Sequence, residues 1–499
     1  MTNTTGTVSN FTKIAYGFGL GAEGIKNNTF NVFLLIFYQQ VVGLDIRLCG
    51  AALFITLMVD AIGDPLIGSW SDGLKSKWGR RLPFMFASSI PLGSFFWCVL
   101  NPPHGMTQIA VFAWLVCFAS ATRFSMSLFS LPHQSLVAEL TDEFGERVSL
   151  QNLRNVFGWL FGLLNVWLGF NVFLATTPDY PVGVLNPEGY RHFAVWGSIV
   201  LVASTFISTL GVRSAVLRIP PTRQSIKSIS IPEFPRAMWR AIASSQSYRA
   251  ALGGGLLMWM AFGMTENTRT YMSSYFWGLS SERTAAIIYM IVGSVLVVLA
   301  TARPLARRMG KRRLGMYSML LFGLCEPTAI ALRLIGVLPD NNDAALMPIL
   351  LLFWFVGFFG IIMAMTIWGT MIADVADEYE LKTGARQEGL LYSAGTFLQK
   401  SATGGGGVFA SAILFFSRFP EHAETGVSHS TIGMFGVLSA STTAGLALLG
   451  AYCFSRFTLE GAKHVAVLAQ LKAQRGAYVV EPETEVAAIA GLATSRIES

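Results

Sequence analysis

The sequence predicts an all-α integral membrane protein of about twelve transmembrane helices, arranged as two pseudo-symmetric six-helix halves. Three observations lead there. The 499 residues are 53% hydrophobic and only 13% charged, with a mean hydropathy of +0.51, where a soluble domain carries about 25% charge. Apolar stretches of about 20 residues, the length that crosses a bilayer core, recur along nearly the whole chain with short connections. Two charged signatures also recur after a shift of a little over 230 residues: AELTDEF at 138–144 matches ADVADEY at 373–379, and GRR at 79–81 matches GKRR at 310–313.

The spans follow in order. After the polar start MTNTTGTVSNFTK, the first is expected over 14–40; it carries Glu23, Lys26, Asn27 and Asn28 without a small-residue cleavage site, so it reads as a span and not as a signal peptide. Spans at 47–70, 84–101, 107–138, 154–175 and 193–212 complete an N-terminal half, 1–212. The connection 213–249 holds Arg213, Arg218, Arg223, Lys227, Arg236, Arg240 and Arg249 against the single acid Glu233, with prolines at 220, 221, 232 and 235, and reads as a basic linker. Spans at 250–279, 284–302, 314–338, 346–373, 389–417 and 430–455 form a C-terminal half, 250–456. The tail 457–499 begins as an amphipathic continuation, turns small and polar, and offers no catalytic motif.

Charge placement orients the chain. Lys75, Lys77, Arg80 and Arg81 follow the second span, and Arg303, Arg307, Arg308, Lys311, Arg312 and Arg313 follow the eighth. The positive-inside rule puts both loops, and with them both termini, in the cytoplasm, with the body in the plasma (inner) membrane. The formal charge of +7 sits in such connections and not on one soluble face, so the bilayer and a small-molecule substrate are the expected partners and nucleic acid is not. The five cysteines stand singly without metal-ligand spacing, and no cofactor is expected. The chain is expected to act as a monomer.

The chemistry concentrates in LCGAALFITLMVDAIGDPLIGSW, where Asp60 and Asp64 share one helix face. An unpartnered Asp at the centre of a membrane helix costs about 2.5–3.5 kcal/mol. Two ionised carboxylates with Cβ atoms about 6 Å apart repel by about 3 kcal/mol at an effective dielectric of about 20. Such a pair requires something positive. A sodium ion is one candidate, its oxygen ligands completed by Thr56, Ser127 and Ser130; a proton on one carboxyl is another. A fixed salt bridge that locks helices together is the third. Lys400, in LLYSAGTFLQKSATGGGG about a dozen residues inside the eleventh span, is the best internal counter-charge; a snorkelling lysine is the alternative, and that depth weakens it. Exchange between Lys400 and an incoming cation would bias one conformation over another.

Other embedded polar residues are Arg123, His133, Gln134, Asn267, Glu326 and Arg333, and Glu266 with Arg269, which are spaced to neutralise each other; Arg123 is expected to face a carboxylate. In GSWSDGLKSKWGRRLPF, Asp72, Arg80 and Arg81 lie where charges at helix ends can pair across the bundle and hold a cytoplasmic gate shut.

From DAIGDPLIGSWSDGLKSKWGRRLPF the chain resembles the glycoside, pentoside and hexuronide cation symporters of the major facilitator superfamily, the group of the melibiose permeases and lysolipid symporters. The likeness extends to YGFG (16–19), LPHQSLVAELTDEFGERVSLQNLRN (131–155) and DVADEYELKTGARQEGLLYSAGTFLQK (374–400), covering both halves. It implies that Asp60 and Asp64 bind the coupling cation, that Lys400 faces them, and that Arg154 and Thr396 lie near the substrate. Two departures stand out. Sugar-carrying members have a further aspartate before an Ile-Pro on the fourth span, where this chain has Ser130, Leu131 and Pro132; the loss of a carboxylate disfavours sodium and favours proton coupling. They also have a sugar-binding aspartate on the first span, where alignment on YGFG gives Gly24, with Glu23 beside it.

The expected function is therefore cation-coupled (H⁺ or Na⁺) symport of a small organic solute, a sugar or glycoside foremost, by alternating access, with Glu23, Arg154 and Thr396 lining the substrate cavity. The alternative is a cation-coupled lysolipid or amphiphile carrier, which requires a laterally open apolar cavity. A more remote alternative is a membrane enzyme of the prenyltransferase type, which requires a second aspartate cluster facing Asp60 and Asp64. No enzymatic activity is expected.

Overall fold

The computed structural model describes residues 8–217, 245–383, 388–421 and 427–471, save 75, 142, 342 and 462, together with 239, 242, 243 and 473. Among the described residues the structure is helical, without strands, and it is organised as twelve spans. The first, α1, is a chain of short pieces, Asn10–Phe18, Leu20–Asn28 and Leu34–Ile36, joined by wider π turns at Thr29–Phe33 and Phe37–Val41. It is followed by α2 (Ile46–Gly73), α3 (Leu82–Val99), α4 (Gln108–Leu140), α5 (Phe144–Leu168, with a π turn at Gly169–Phe173) and α6 (Pro187–Val216). The second half comprises α7 (Gln246–Tyr271, with a π turn at Met272–Phe276), α8 (Ser281–Ala285 and Ile287–Met309), α9 (Lys311–Leu334), α10 (Leu346–Thr383), α11 (Glu388–Phe416) and α12 (His429–Ser455).

Among the described residues, nine of these helices are long and apolar enough to cross a membrane by length and composition alone. The other three, α1, α7 and α11, hold Glu23 and Lys26, Glu266 and Arg269, and Lys400. Their polarity marks them as helices that face the interior of the bundle.

Local sequence sets the helix starts. Asp45, Thr107, Asn186, Ser245, Ser280 and Ser428 each turn a side-chain oxygen onto the first free backbone amides of the helix that follows, and Pro187 begins α6 where no amide is needed. Several helices overrun the apolar stretch that predicts them. α5 begins at Phe144, ten residues before the expected start at 154, and α6 runs to Val216 where the span was expected to end at 212. A helix satisfies its own backbone, so it continues into the polar region at no hydrogen-bonding cost. Most of the 213–249 linker and the end of the tail lie outside the described residues; the described start of the tail buries Phe457 and Leu459 and brings His464 to 3.3 Å from Asp377.

The repeated signatures become the same structural device in each half. Arg80 and Arg81, after α2, both bind Glu139 at the end of α4, at 2.7 and 2.6 Å. Lys311, at the start of α9, binds Asp374 near the end of α10 at 2.6 Å. Gly79 and Gly310, which open the two basic clusters, both take a left-handed backbone, with φ of 80° and 79°, that a side chain would strain.

Glycines set the closest helix contacts. A Cβ at Gly24 of α1 would fall 2.1 Å from the carbonyl oxygen of Gly158 on α5. In the GGGG run of α11, Gly404 faces Leu57 of α2, where a Cβ would lie 2.4 Å away, while Gly406 faces the Met264 amide of α7 at 2.3 Å. The sequence places small residues where backbones from two or three helices converge.

Candidate functional site

The seam between α2 and α11 carries the site. It runs from Gly50 against Ser411, through Leu53 against Gly407 and Leu57 against Gly404, to Asp60 and Asp64 against Lys400. One turn beyond Lys400, Thr396 and Phe397 are exposed. At the end of the molecule away from the basic loops, the halves are tied by hydrogen bonds from Thr270 to the Val32 carbonyl (3.0 Å), from the Tyr271 hydroxyl to Gln39 (2.7 Å), and from Gln39 to the Pro420 carbonyl (2.9 Å). The Thr176 amide adds a bond to Glu282 at 2.7 Å. The bundle is thus closed at that end, and the carboxylate pair lies at the inner limit of the seam.

Helical spacing puts both carboxylates on one face of α2, and the partners come from elsewhere. Lys400 binds Asp64 directly and lies 3.6 Å from Asp60. Asp60, only 5% exposed, also accepts a hydrogen bond from Ser127 of α4 (3.1 Å) and has the Arg123 guanidinium of α4 at 3.8 Å. The second oxygen of Asp64 is buried without a hydrogen bond. Arg123 stacks over Phe30 of α1 at 5.3 Å, and its Nε is buried and unpartnered. Lys26 of α1 is buried beside this group, with Arg123, Asp60, Glu23 and Lys400 as the charges nearest it. The result is a mixed ionic centre in which Asp60 and Asp64 meet Lys400 and Arg123, with Lys26 and Glu23 near enough to act on it through charge alone.

The structure gathers Asp60, Asp64, Ser127 and Lys400, and it brings Glu23 within electrostatic reach of Lys400. Thr56 lies one turn away with its hydroxyl donated to the Leu53 carbonyl, and Ser130 lies one turn past Ser127 with no bond to either aspartate among the described residues. Arg154 is 6% exposed on α5, with Tyr16 and His133 near its charge and its Nε without a hydrogen bond. Thr396 stands exposed one turn before Lys400. Gly24 has no room for the aspartate that sugar-carrying relatives place there, because the α5 backbone occupies that volume. Arg80 and Arg81 share Glu139, which belongs to their own half. The Asp72 side chain lies outside the described residues.

Sequence reasoning named Lys26 and Arg123 as embedded but did not join them to the centre. Their signal was present: Glu23 and Lys26 are spaced i, i+3 and Arg123 and Ser127 are spaced i, i+4, so α1 and α4 each turn a polar stripe inward. In the other half, Arg269 binds Glu266 on the same helix at 2.5 Å and lies over Phe358 of α10 at 4.9 Å, with Glu326 of α9 nearby. Among the described residues, Asp374 is held by Lys311 and Asp377 by His464, and neither is paired with the Asp60–Asp64 centre.

Comparison with known proteins agrees with this architecture. The family profile described as MFS/sugar transport protein matches residues 15–461. An uncharacterized symporter of Synechocystis is 27% identical over 82% of this chain and 87% of its own. The isoprimeverose transporter of Lactiplantibacillus pentosus is 25% identical over 93% of this chain and 92% of its own. Among solved structures, a bacterial homologue of the human lysosomal transporter Spinster, in an inward-facing and unoccupied conformation, superposes with a TM-score of 0.65 at 11% identity, covering 93% of this chain and 98% of that one.

Proposed function

Because this chain belongs to the MFS/sugar transport protein family, a family of multi-pass membrane transporters and not of enzymes, we propose that it is a cation-coupled symporter of a sugar or glycoside that works by alternating access. The observation that carries this reading is the pairing of Lys400 of one half with Asp60 and Asp64 of the other, at the limit of the α2–α11 seam. Neutralising a carboxylate releases Lys400 and weakens a tie between the halves, so cation binding changes the relative free energy of the two openings. The basic loops face the cytoplasm, both termini with them, and the single chain is the working unit in the cell membrane.

The donor set supports a proton over sodium. Arg123 and Lys400 already stand on the carboxylates, and a metal ion entering there would meet fixed positive charge. A proton needs one oxygen, and the second oxygen of Asp64 offers it. Glu23, Arg154 and Thr396 line the route from the ionic centre toward the basic-loop end and contact the solute. Buried charges on that route support a hydrophilic solute over a lysolipid.

The test is uptake in proteoliposomes with proton and sodium gradients imposed separately. Asp60→Asn and Asp64→Asn are expected to abolish concentrative uptake while solute counterflow, which needs no gradient, continues. Concentrative uptake at the wild-type level in both variants would refute the coupling role.

A further inference from the structure

Lys26 is the one base of the ionic centre that touches no carboxylate. It is 5% exposed in the middle of α1, and among the described residues its Nζ makes no hydrogen bond and has no carboxylate within 4.0 Å. The aspartates around it are already engaged: Asp64 by Lys400, and Asp60 by Lys400, Arg123 and Ser127. Glu23, one turn earlier on the same helix, approaches only at long range. Beside Lys26, Arg123 presents a buried donor without an acceptor, its Nε. An ammonium on a side chain only 5% exposed and a buried guanidinium N–H, both lacking an anion in contact, are retained at a substantial desolvation cost.

We propose that Lys26, with Arg123 behind it, is an anion-binding subsite that receives a carboxylate or sulfonate carried by the transported solute. The inference rests on the reading of the chain as a sugar-derivative transporter and narrows its cargo to acidic members of that class. The oxyanion accepts from the Lys26 ammonium and from the Arg123 Nε–H, which is the stronger, charge-assisted kind of hydrogen bond. Arg123 then bridges two anions, the solute on one side and Asp60 on the other. Solute binding draws Arg123 charge away from Asp60, which raises the affinity of that carboxylate for a cation and ties cargo to coupling ion. A neutral sugar leaves both donors unfilled and is disfavoured for that reason.

The experiment is solute counterflow in proteoliposomes with a panel that pairs each acid with its neutral counterpart: a glucuronide against the matching glucoside, and a dihydroxypropane sulfonate against glycerol. The wild type is expected to prefer the acid of at least one pair by about tenfold or more, the scale of a buried charged contact. Lys26→Met is expected to bring the ratio of acid to neutral counterflow to about one, and Lys26→Arg to keep most of the preference. The Lys26→Arg variant and a monodisperse elution profile guard against a folding defect in Lys26→Met. Equal handling of acid and neutral members by the wild type, or an undiminished acid preference in Lys26→Met, overturns the inference and leaves the symporter reading standing. Movement of no glycoside, acid or neutral, overturns both.

Discussion

The two halves treat their buried charges differently. In the first half, Asp60 and Asp64 are answered by Lys400 from the second half, so the ion pair crosses from one half to the other. In the second half, Glu266 is answered by Arg269 one turn along the same helix. The basic loops show the second pattern twice more: the pairs of Arg80 and Arg81 with Glu139, and of Lys311 with Asp374, each stay within their own half. A pair confined to one helix or one half survives rocking of the halves unchanged. In the alternating-access cycle proposed above, a pair that crosses between them is made and broken, and such a pair is the one that can set which way the transporter opens.

This contrast can be broken or sharpened by substitution. The largest effect is expected from Lys400→Met, which leaves Asp64 without its base and Asp60 with Arg123 and Ser127 alone; removal of one partner of a buried pair costs about 3–5 kcal/mol. Uptake should be lost and the midpoint of thermal unfolding lowered, and adding Asp64→Asn should restore part of the midpoint without restoring concentrative uptake. If the single variant still concentrates solute, the crossing pair is not the coupling element. Next, Gly24→Asp places a side chain against the Gly158 carbonyl and should abolish folding, read as loss of the monodisperse peak in size-exclusion chromatography, whereas Gly105→Ala, in open space but with φ of 77°, should be far milder. Third, Arg269→Met strands Glu266 and should lower thermal stability while the ratio of gradient-driven to counterflow transport stays at the wild-type value; a changed ratio would show that the second half also takes part in coupling. The smallest effect is expected from Lys311→Ala. That lysine is 29% exposed; its partner Asp374 is only 7% exposed but keeps His464 at 3.6 Å, so the unfolding midpoint should fall by less than in the variants that leave a membrane-embedded carboxylate without its base.

The residues at the centre were legible to different degrees, and for physical reasons. Asp60, Asp64 and Lys400 stand out because a charge in an apolar stretch is rare and expensive. The Glu266–Arg269 pair was legible because its partners share one helix, where spacing alone determines proximity. Arg123 was visible as a charge, but its carboxylate lies on another helix, and periodicity carries no information on which helices adjoin. The same limit applied to Arg80 and Arg81: their partner Glu139 lies inside AELTDEF, a segment singled out for its recurrence and not for its contact. The roles of Gly24 and of Gly404–Gly407 were hidden because an absent side chain leaves no hydropathy signal; only the neighbouring backbone reveals why nothing larger stands there. The π turns of α1, α5 and α7 shift a hydrogen-bond register without altering composition, and no pattern announces them. The number of spans and the twofold repeat were legible because hydrocarbon thickness imposes a length and duplication leaves an echo.

The glycine run of α11 has one more consequence. Interlocked side chains must change rotamer before two helices can part, and each such change adds a step to the path. Where Leu57 lies on bare backbone at Gly404, there is nothing on the α11 side to disengage. At that point the surface is smooth, and the contact made there is dispersion alone, leaving the hold between α2 and α11 to the ion pair at the end of the seam.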